Sequence, residues 1–187
     1  LAAGVGAAML AIAGPAAAQP DKPLDNEPVG RLPACTAEAC TWERTLGGRE
    51  EDKAYAVIAM PDDGLVVAGN TMSFGTPRYD AWIARLDRGG ETMWTRRLGG
   101  PEADHVYALA ATADGGVLTV GDTRSAGAGE SDVWLARLDS EGEVLWQRLM
   151  GDIHNDRART ALALADGGFV VGGFAGMGGS NRDGWVA

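Results

Sequence analysis

The segment RLDSEGEVLWQRL, residues Arg137–Leu149, repeats the segment RLDRGGETMWTRR, residues Arg85–Arg97, after 137 − 85 = 52 positions. Both copies run from an apolar stretch through Asp-x-x-Gly into a second apolar stretch that contains a tryptophan. Asp at the first position and Gly at the fourth are typical of a type I turn. Each copy is therefore predicted to be a β-hairpin, with turns at residues 87–90 and 139–142.

The same period extends through most of the chain. The repeated positions are Trp42, Trp94 and Trp146; Trp82, Trp134 and Trp185; Asp52, Asp104 and Asp156; Asp80, Asp132 and Asp183; Gly64, Gly116 and Gly168; and Gly69, Gly121 and Gly173. Only the third members of the Trp82 and Asp80 series are displaced, by one residue. A fixed period of this size indicates a repeat architecture, and these tryptophans and aspartates are predicted to be its structural anchors.

Each repeat contains four short apolar runs separated by turn signals, with no helical period. Asp-Gly pairs at residues 63–64, 114–115 and 166–167 mark a second hairpin, in which the glycine is expected to take a positive φ. In DVWLARLD, residues 132–139, alternate positions are apolar on both faces of the strand: Trp134, Ala136 and Leu138 on one face, and Val133 and Leu135, with Arg137, on the other.

Strands that are apolar on both faces favour sheets stacked face to face, as in the blades of a propeller. The sequence therefore predicts an all-β fold, a β-propeller with about three four-stranded blades. The repeat units are expected at about residues 41–92, 93–144 and 145–187, the last one truncated. We expect an incomplete propeller, a fragment at both ends, whose open blades favour self-association.

The first 40 residues have a different composition. Residues 1–18 carry no charge and end in Ala-Ala-Ala, which predicts a signal peptide that lacks its basic n-region; a membrane anchor is the alternative. Residues 19–40 form a predicted Pro-rich linker with Cys35 and Cys40. These cysteines are expected to pair if the protein is exported to the periplasm or the extracellular space, and two free thiols are the alternative.

The totals exclude some function classes. The net charge of −10 and the lack of a Lys/Arg cluster argue against nucleic-acid and anionic-membrane partners. No second segment is long and apolar enough to span a membrane. The histidines His105 and His154 are out of register, and no nucleotide, zinc or nucleophile motif occurs. No catalytic, cofactor-binding or metal-binding residue is predicted.

The aspartates that precede strands, Asp52, Asp104 and Asp156, have two interpretations. They are expected to accept backbone N–H groups of the loop before the strand. The alternative is a Ca²⁺-binding surface, which requires six or more converging oxygens.

From about Thr41 to Ala187, the pattern D-x-W-L/I-A-R-L-D-x-x-G-E, then W, GG-x-x-x-D, DGG and G-x-T-x-S-x-G resembles the bacterial β-propeller repeat. This resemblance implies a secreted or cell-surface protein. The third unit departs from the pattern at residues 150–152 and 175–177. LDSEGEVLW is also similar to the tryptophan-docking phrase of quinoprotein-type propellers, which implies that Trp42, Trp94 and Trp146 pack between neighbouring blades. The quinoprotein enzymes have adjacent cysteines beside the cofactor, whereas Cys35 and Cys40 are not adjacent. The redox activity and the cofactor of those enzymes are therefore not inferred for this chain.

Three functions remain open on the sequence alone. The first is a non-catalytic exported propeller that binds a protein or glycan, or serves as a scaffold, through loops at residues 71–79 and 123–131. The second is part of a propeller enzyme, of hydrolase, lyase or quinoprotein-like type, whose catalytic residues lie in missing blades. The third is a passive array attached to another domain.

Overall fold

A computed structural model describes residues 42–73, 77–178 and 181–187, which form three antiparallel sheets and no helix. The first sheet contains β1 (Asp52–Ala59), β2 (Leu65–Thr71), β3 (Asp80–Leu86) and β4 (Thr92–Leu98). The second contains β5 (Asp104–Ala111), β6 (Val117–Thr123), β7 (Asp132–Leu138) and β8 (Val144–Met150). The third contains β9 (Arg157–Ala163), β10 (Phe169–Gly176) and β11 (Arg182–Val186). The all-β prediction is confirmed; the predicted signal peptide and linker, with Cys35 and Cys40, lie outside the described residues.

Strands are paired in chain order within each sheet, so every connection within a sheet is a hairpin or a longer antiparallel loop. The tryptophan strands close the sheets: β4 contains Trp94 and β8 contains Trp146. In the sequence, each repeat unit begins with the tryptophan strand, but this strand hydrogen-bonds to the sheet that precedes it in the chain. The sheets are thus offset from the repeat units inferred from the sequence.

The Asp-x-x-Gly hairpins have the predicted turns. Gly90 donates its N–H to the Asp87 carbonyl at 3.0 Å, and Gly142 donates to the Asp139 carbonyl at 3.2 Å. Both glycines have a positive φ, 82° and 80°. Each aspartate side chain also accepts two backbone N–H groups inside the turn, which fixes the loop before the second strand begins.

The second set of hairpins follows the prediction in two sheets out of three. Gly115 and Gly167 have φ values of 83° and 86°, but in the first sheet Asp63, and not Gly64, has the positive φ, 63°. The period explains this difference, because Asp63 is 52 residues before Gly115. Gly116 has another role: a Cβ there would lie 2.2 Å from Nη1 of the buried Arg137.

The second sheet is buried on both faces. Trp134, Ala136 and Leu138 pack into a core shared with the first sheet, whereas Val133 and Leu135 pack into a core shared with the third. Both predicted faces of β7 are thus confirmed. Complete burial of a side chain such as Leu138 contributes about 1.5–3 kcal/mol.

Neighbouring sheets meet through their first strands. β5 packs against β1, β2 and β3 of the first sheet, and β9 packs against β5, β6 and β7 of the second. β1, β5 and β9 therefore lie in a row.

Two of the repeated tryptophans, Trp42 and Trp94, pack against turn glycines. Trp94 donates its indole N–H to the Ser140 carbonyl at 2.9 Å. A Cβ at Gly142 would lie 2.9 Å from the Trp94 ring, so only glycine leaves room for the indole. Trp42 lies in the same way against Gly90 of the first sheet.

The other tryptophans have different surroundings. Trp146 packs edge-on against Phe169, with 6.3 Å between ring centres. Trp82 and Trp134 are each 5% exposed, and their indole N–H groups bond to acceptors of their own sheets. Trp185 is partly buried against the core between the second and third sheets.

Candidate functional site

The repeated aspartates before the first strands hold the loops that precede them. Oδ2 of Asp52, Asp104 and Asp156 accepts the N–H of Gly48, Gly100 and Asp152 at 2.7, 2.7 and 2.9 Å, respectively. This is the local carboxylate-to-backbone contact that competes with regular strand pairing and shapes loops.

The same carboxylates also tie a more distant loop to the first strand. Asp104 is fully buried and accepts hydrogen bonds from the hydroxyls of Thr123 and Ser125, the latter at 2.7 Å. Ser73 makes the equivalent contact with Asp52 at 2.6 Å. In the third sheet, where the Thr-x-Ser pattern is absent, the Gly176 N–H donates to Asp156 at 3.0 Å instead. The described geometry gives these aspartates structural partners in every sheet.

Each first strand carries a β-bulge at the same position. Pairing with the next strand skips one residue between Ala54 and Ala56 in β1 and between Val106 and Ala108 in β5, and the corresponding irregularity in the third sheet leaves Arg159 unpaired. The unpaired residues are Tyr55, Tyr107 and Arg159, each 52 positions from the next. A bulge turns the side chain of its extra residue away from the regular pleat, and bulges often lie beside binding sites.

The glycine column explains why the bulges form where they do. A Cβ at Gly69, Gly121 or Gly173 would lie 1.7, 1.8 or 1.9 Å from the carbonyl oxygen of Lys53, His105 or Arg157. These carbonyls occupy the space that a side chain would need. The second strand of each sheet therefore requires glycine opposite the bulge.

Two columns of side chains on the first strands form what we call the bulge surface, of which Tyr55 and Arg159 are exposed and the others half-buried: Lys53, His105 and Arg157, and Tyr55, Tyr107 and Arg159. The Tyr55 ring meets the Tyr107 ring edge to face, with centres 5.6 Å apart. His105 is stacked on Tyr107 at 5.8 Å and lies 5.8 Å from Tyr79, which extends the row. The Arg159 guanidinium carbon stands 3.8 Å over the Tyr107 ring.

Most charges at the bulge surface are paired. Lys53 Nζ lies 2.9 Å from a Glu51 carboxylate oxygen and donates to the Tyr79 hydroxyl at 3.0 Å. His105 Nδ1 and Arg157 Nε each lie 3.5 Å from the carboxylate of Asp122, which is fully buried beneath them.

Arg159 differs from Lys53 and Arg157. Its side chain is exposed, and no carboxylate within the described ranges forms an ion pair with it. Cation–π contact with Tyr107 holds the guanidinium in place. The surface thus combines one exposed ring, Tyr55 at 49% exposure, with one available cation.

Two groups at this surface have shifted pKa values, and both keep their protons at neutral pH. Burial, helped by the Asp122 carboxylate, raises the pKa of the Tyr107 phenol to about 12, so the hydroxyl stays protonated at neutral pH. Hydrogen bonding to Tyr79, followed by the bond to Glu51, raises the pKa of the Lys53 ammonium, which stays charged. Neither group has the near-neutral pKa that general acid–base catalysis favours.

The loops singled out from the sequence have mixed surroundings. Residues 74–76 of the first loop lie outside the described residues. In the second loop, Thr123 and Ser125 turn inward to Asp104, and Ala126 lines a cavity of ≈ 210 Å³ together with Trp134 and Gln147. Much of the second loop's polar chemistry therefore serves the fold.

Sequence reasoning missed the bulge surface, although one signal for it was present. Residues 53, 105 and 157 are Lys, His and Arg, and residues 55, 107 and 159 are Tyr, Tyr and Arg. The equivalent positions therefore differ in identity but stay cationic or aromatic. His154, by contrast, lies away from this row and bonds locally to Asp152 at 2.8 Å.

Within the part of the chain that the structure describes, no three His, Cys, Asp or Glu side chains converge in a way that could hold a metal ion. Across the same residues, no helix has the length and apolarity required to cross a membrane. No protein-family model matches the chain, and no curated protein is significantly similar to it.

Proposed function

We propose that this chain is a non-catalytic, exported β-propeller module that binds a carbohydrate through the bulge surface. The observation that carries the proposal is the row of three equivalent bulges, which present Tyr55, Tyr107 and Arg159 side by side. Aromatic side chains provide large, rigid contact area at low entropic cost, and their faces suit the C–H faces of sugar rings.

The propeller arrangement is part of this proposal. It is supported by the face-to-face packing of the second sheet between its neighbours and by the adjacency of β1, β5 and β9. Blades with that packing place their first strands around a common axis. The bulge surface would then line the inner side of the propeller.

A non-catalytic role is favoured by the way the polar groups are used. The carboxylates of Asp52, Asp104 and Asp156 are engaged with backbone N–H groups or hydroxyls, and the phenol of Tyr107 is held protonated. Export is proposed from residues 1–18 and from the resemblance to secreted bacterial repeats.

The test is affinity electrophoresis of the purified chain through gels that contain single polysaccharides, neutral and acidic. At least one polysaccharide is expected to retard the protein, and Tyr55→Ala should abolish most of that retardation. Met93→Ala is the control, because Met93 is 60% exposed on the outer strand β4. Equal retardation of Tyr55→Ala and Met93→Ala would place any binding elsewhere, and free migration in every gel would refute carbohydrate binding.

A further inference from the structure

We propose that the ligand of the bulge surface is an acidic glycan whose sugar carboxylate binds Arg159 while a sugar ring lies on Tyr55. This inference rests on the proposed function and names the chemical class of ligand. It starts from the one cation on the surface that has no carboxylate partner among the described residues.

The position of Arg159 suits a carboxylate ligand. Its guanidinium carbon lies 3.8 Å from the centre of the Tyr107 ring, so the group has a fixed contact before any ligand arrives. The residue as a whole is exposed to solvent. A planar guanidinium held in this way donates two parallel hydrogen bonds to a carboxylate, which is a strong and geometrically selective contact.

The neighbouring cations already have carboxylate partners, so they do not compete with Arg159 for an anionic ligand. Lys53 is neutralised by Glu51, and Arg157 faces Asp122. The surface therefore carries a local positive charge at Arg159 on a chain whose net charge is −10. An anion is drawn to that position by the local charge.

The spacing favours a sugar acid over a free anion. The Tyr55 ring centre is 5.6 Å from the Tyr107 ring centre, and the Arg159 carbon is 3.8 Å from that same ring centre. Tyr55 and Arg159 are thus at most 5.6 + 3.8 = 9.4 Å apart. A short run of pyranose rings covers this span, and a uronic acid supplies both the apolar ring face and the carboxylate.

The experiment is isothermal titration calorimetry of the full chain with three probes. They are an oligogalacturonate, the same oligosaccharide with its carboxyl groups reduced to alcohols, and an oligoglutamate peptide of equal charge. The oligogalacturonate is expected to bind at least about tenfold more tightly than the other two, because hydrogen bonds to charged groups are the stronger ones.

Variants separate the contributions of charge and ring. Arg159→Gln should lower the affinity for the oligogalacturonate about tenfold and leave the affinity for the reduced oligosaccharide unchanged, whereas Tyr55→Ala should weaken both. The matched control is Arg148→Gln, because Arg148 makes the same kind of contact, 4.9 Å over Trp146, on the outer strand β8. Far-ultraviolet circular dichroism of each variant checks that the fold is retained.

The outcomes distinguish this inference from the proposed function. Equal binding of the acidic and reduced oligosaccharides would overturn the acidic ligand while leaving carbohydrate binding intact. Equal binding of the oligoglutamate peptide would show a general polyanion site and overturn the inference. Binding of neither oligosaccharide would overturn this inference, whereas the polysaccharide gels decide the proposed carbohydrate binding. Loss of binding in Arg148→Gln would move the site to the outer strands.

Discussion

Gly121→Ala tests the physical origin of the bulge surface. An added Cβ would lie 1.8 Å from the His105 carbonyl oxygen and 3.0 Å from the Val106 Cα. Contacts under 3.0 Å are not tolerated, so the peptide between His105 and Val106 must retreat by about 3.0 − 1.8 = 1.2 Å. The same peptide donates its N–H to the Asn70 side chain at 3.0 Å, a buried hydrogen bond between the first and second sheets.

The cost follows from these two contacts. Inserting a methyl group into packed structure costs about 1–3 kcal/mol, and losing a buried hydrogen bond costs about 1 kcal/mol more. Gly121→Ala should therefore lower the free energy of unfolding by about 3 kcal/mol and the melting temperature by about 6–12 °C. Urea titration and differential scanning calorimetry measure both quantities.

The matched control is Gly184→Ala, which also changes a strand glycine. Nothing lies within 4 Å of a Cβ built at Gly184, and its φ is not in the left-handed region. This variant should be neutral or more stable by up to about 1 kcal/mol, because alanine restricts the unfolded chain. The steric argument fails if Gly121→Ala unfolds within about 0.5 kcal/mol of the natural chain, or if the two variants are equally destabilised.

Three further outcomes are expected. Asp63→Gly should raise the free energy of unfolding, measured by urea titration, by about 1 kcal/mol. Glycine adopts the left-handed conformation freely, as Gly115 does at the equivalent position, and a loss of stability would contradict this. Ser125→Ala should lower the free energy of unfolding by about 1.5–3 kcal/mol, since the buried Asp104 carboxylate loses a donor at 2.7 Å. A change below about 0.5 kcal/mol would show that this contact is not needed. Burial, the main cause, raises the pKa of the Asp132 carboxyl, so its ionised form opposes folding. Asp132→Asn should therefore gain stability over the natural chain as pH rises from about 3.9 through the raised folded value, and a difference that is constant between about pH 3 and pH 7 would refute this.

The hairpins were predictable because their chemistry is local. An aspartate at the first turn position and a glycine at the fourth are enough to define the turn at residues 139–142. Which residue of the second hairpin is left-handed was less certain. The Asp-Gly pair at residues 63–64 is shifted by one position, relative to the 52-residue repeat, from the pairs at 114–115 and 166–167. Only the period itself, which aligns Asp63 with Gly115, identifies the residue that takes the positive φ.

The bulges were not predictable because their cause is a contact between strands. The glycine column at residues 69, 121 and 173 was visible in the sequence, but a strand glycine has several explanations. The structure identifies the cause as the approach of a carbonyl from the neighbouring strand, 1.7–1.9 Å from the position of a Cβ. The unpaired residue then faces outward, and no alternation rule places it there.

The contrast between two sets of equivalent positions supports a binding role for the bulge surface. The first residue of the pattern is aspartate in all three sheets, at positions 52, 104 and 156, because each sheet needs the same loop held in the same way. The neighbouring columns have equally similar backbones, with the same bulge in each sheet. The backbone therefore makes the same demand at each of them, and the buried Asp122 adds a structural partner only for His105 and Arg157. A merely solvated strand would also tolerate small polar residues there. The chain instead has only cations and aromatic rings, in different orders along the row, which is what an asymmetric ligand on a repeated framework requires: Lys53, His105, Arg157, Tyr55, Tyr107 and Arg159.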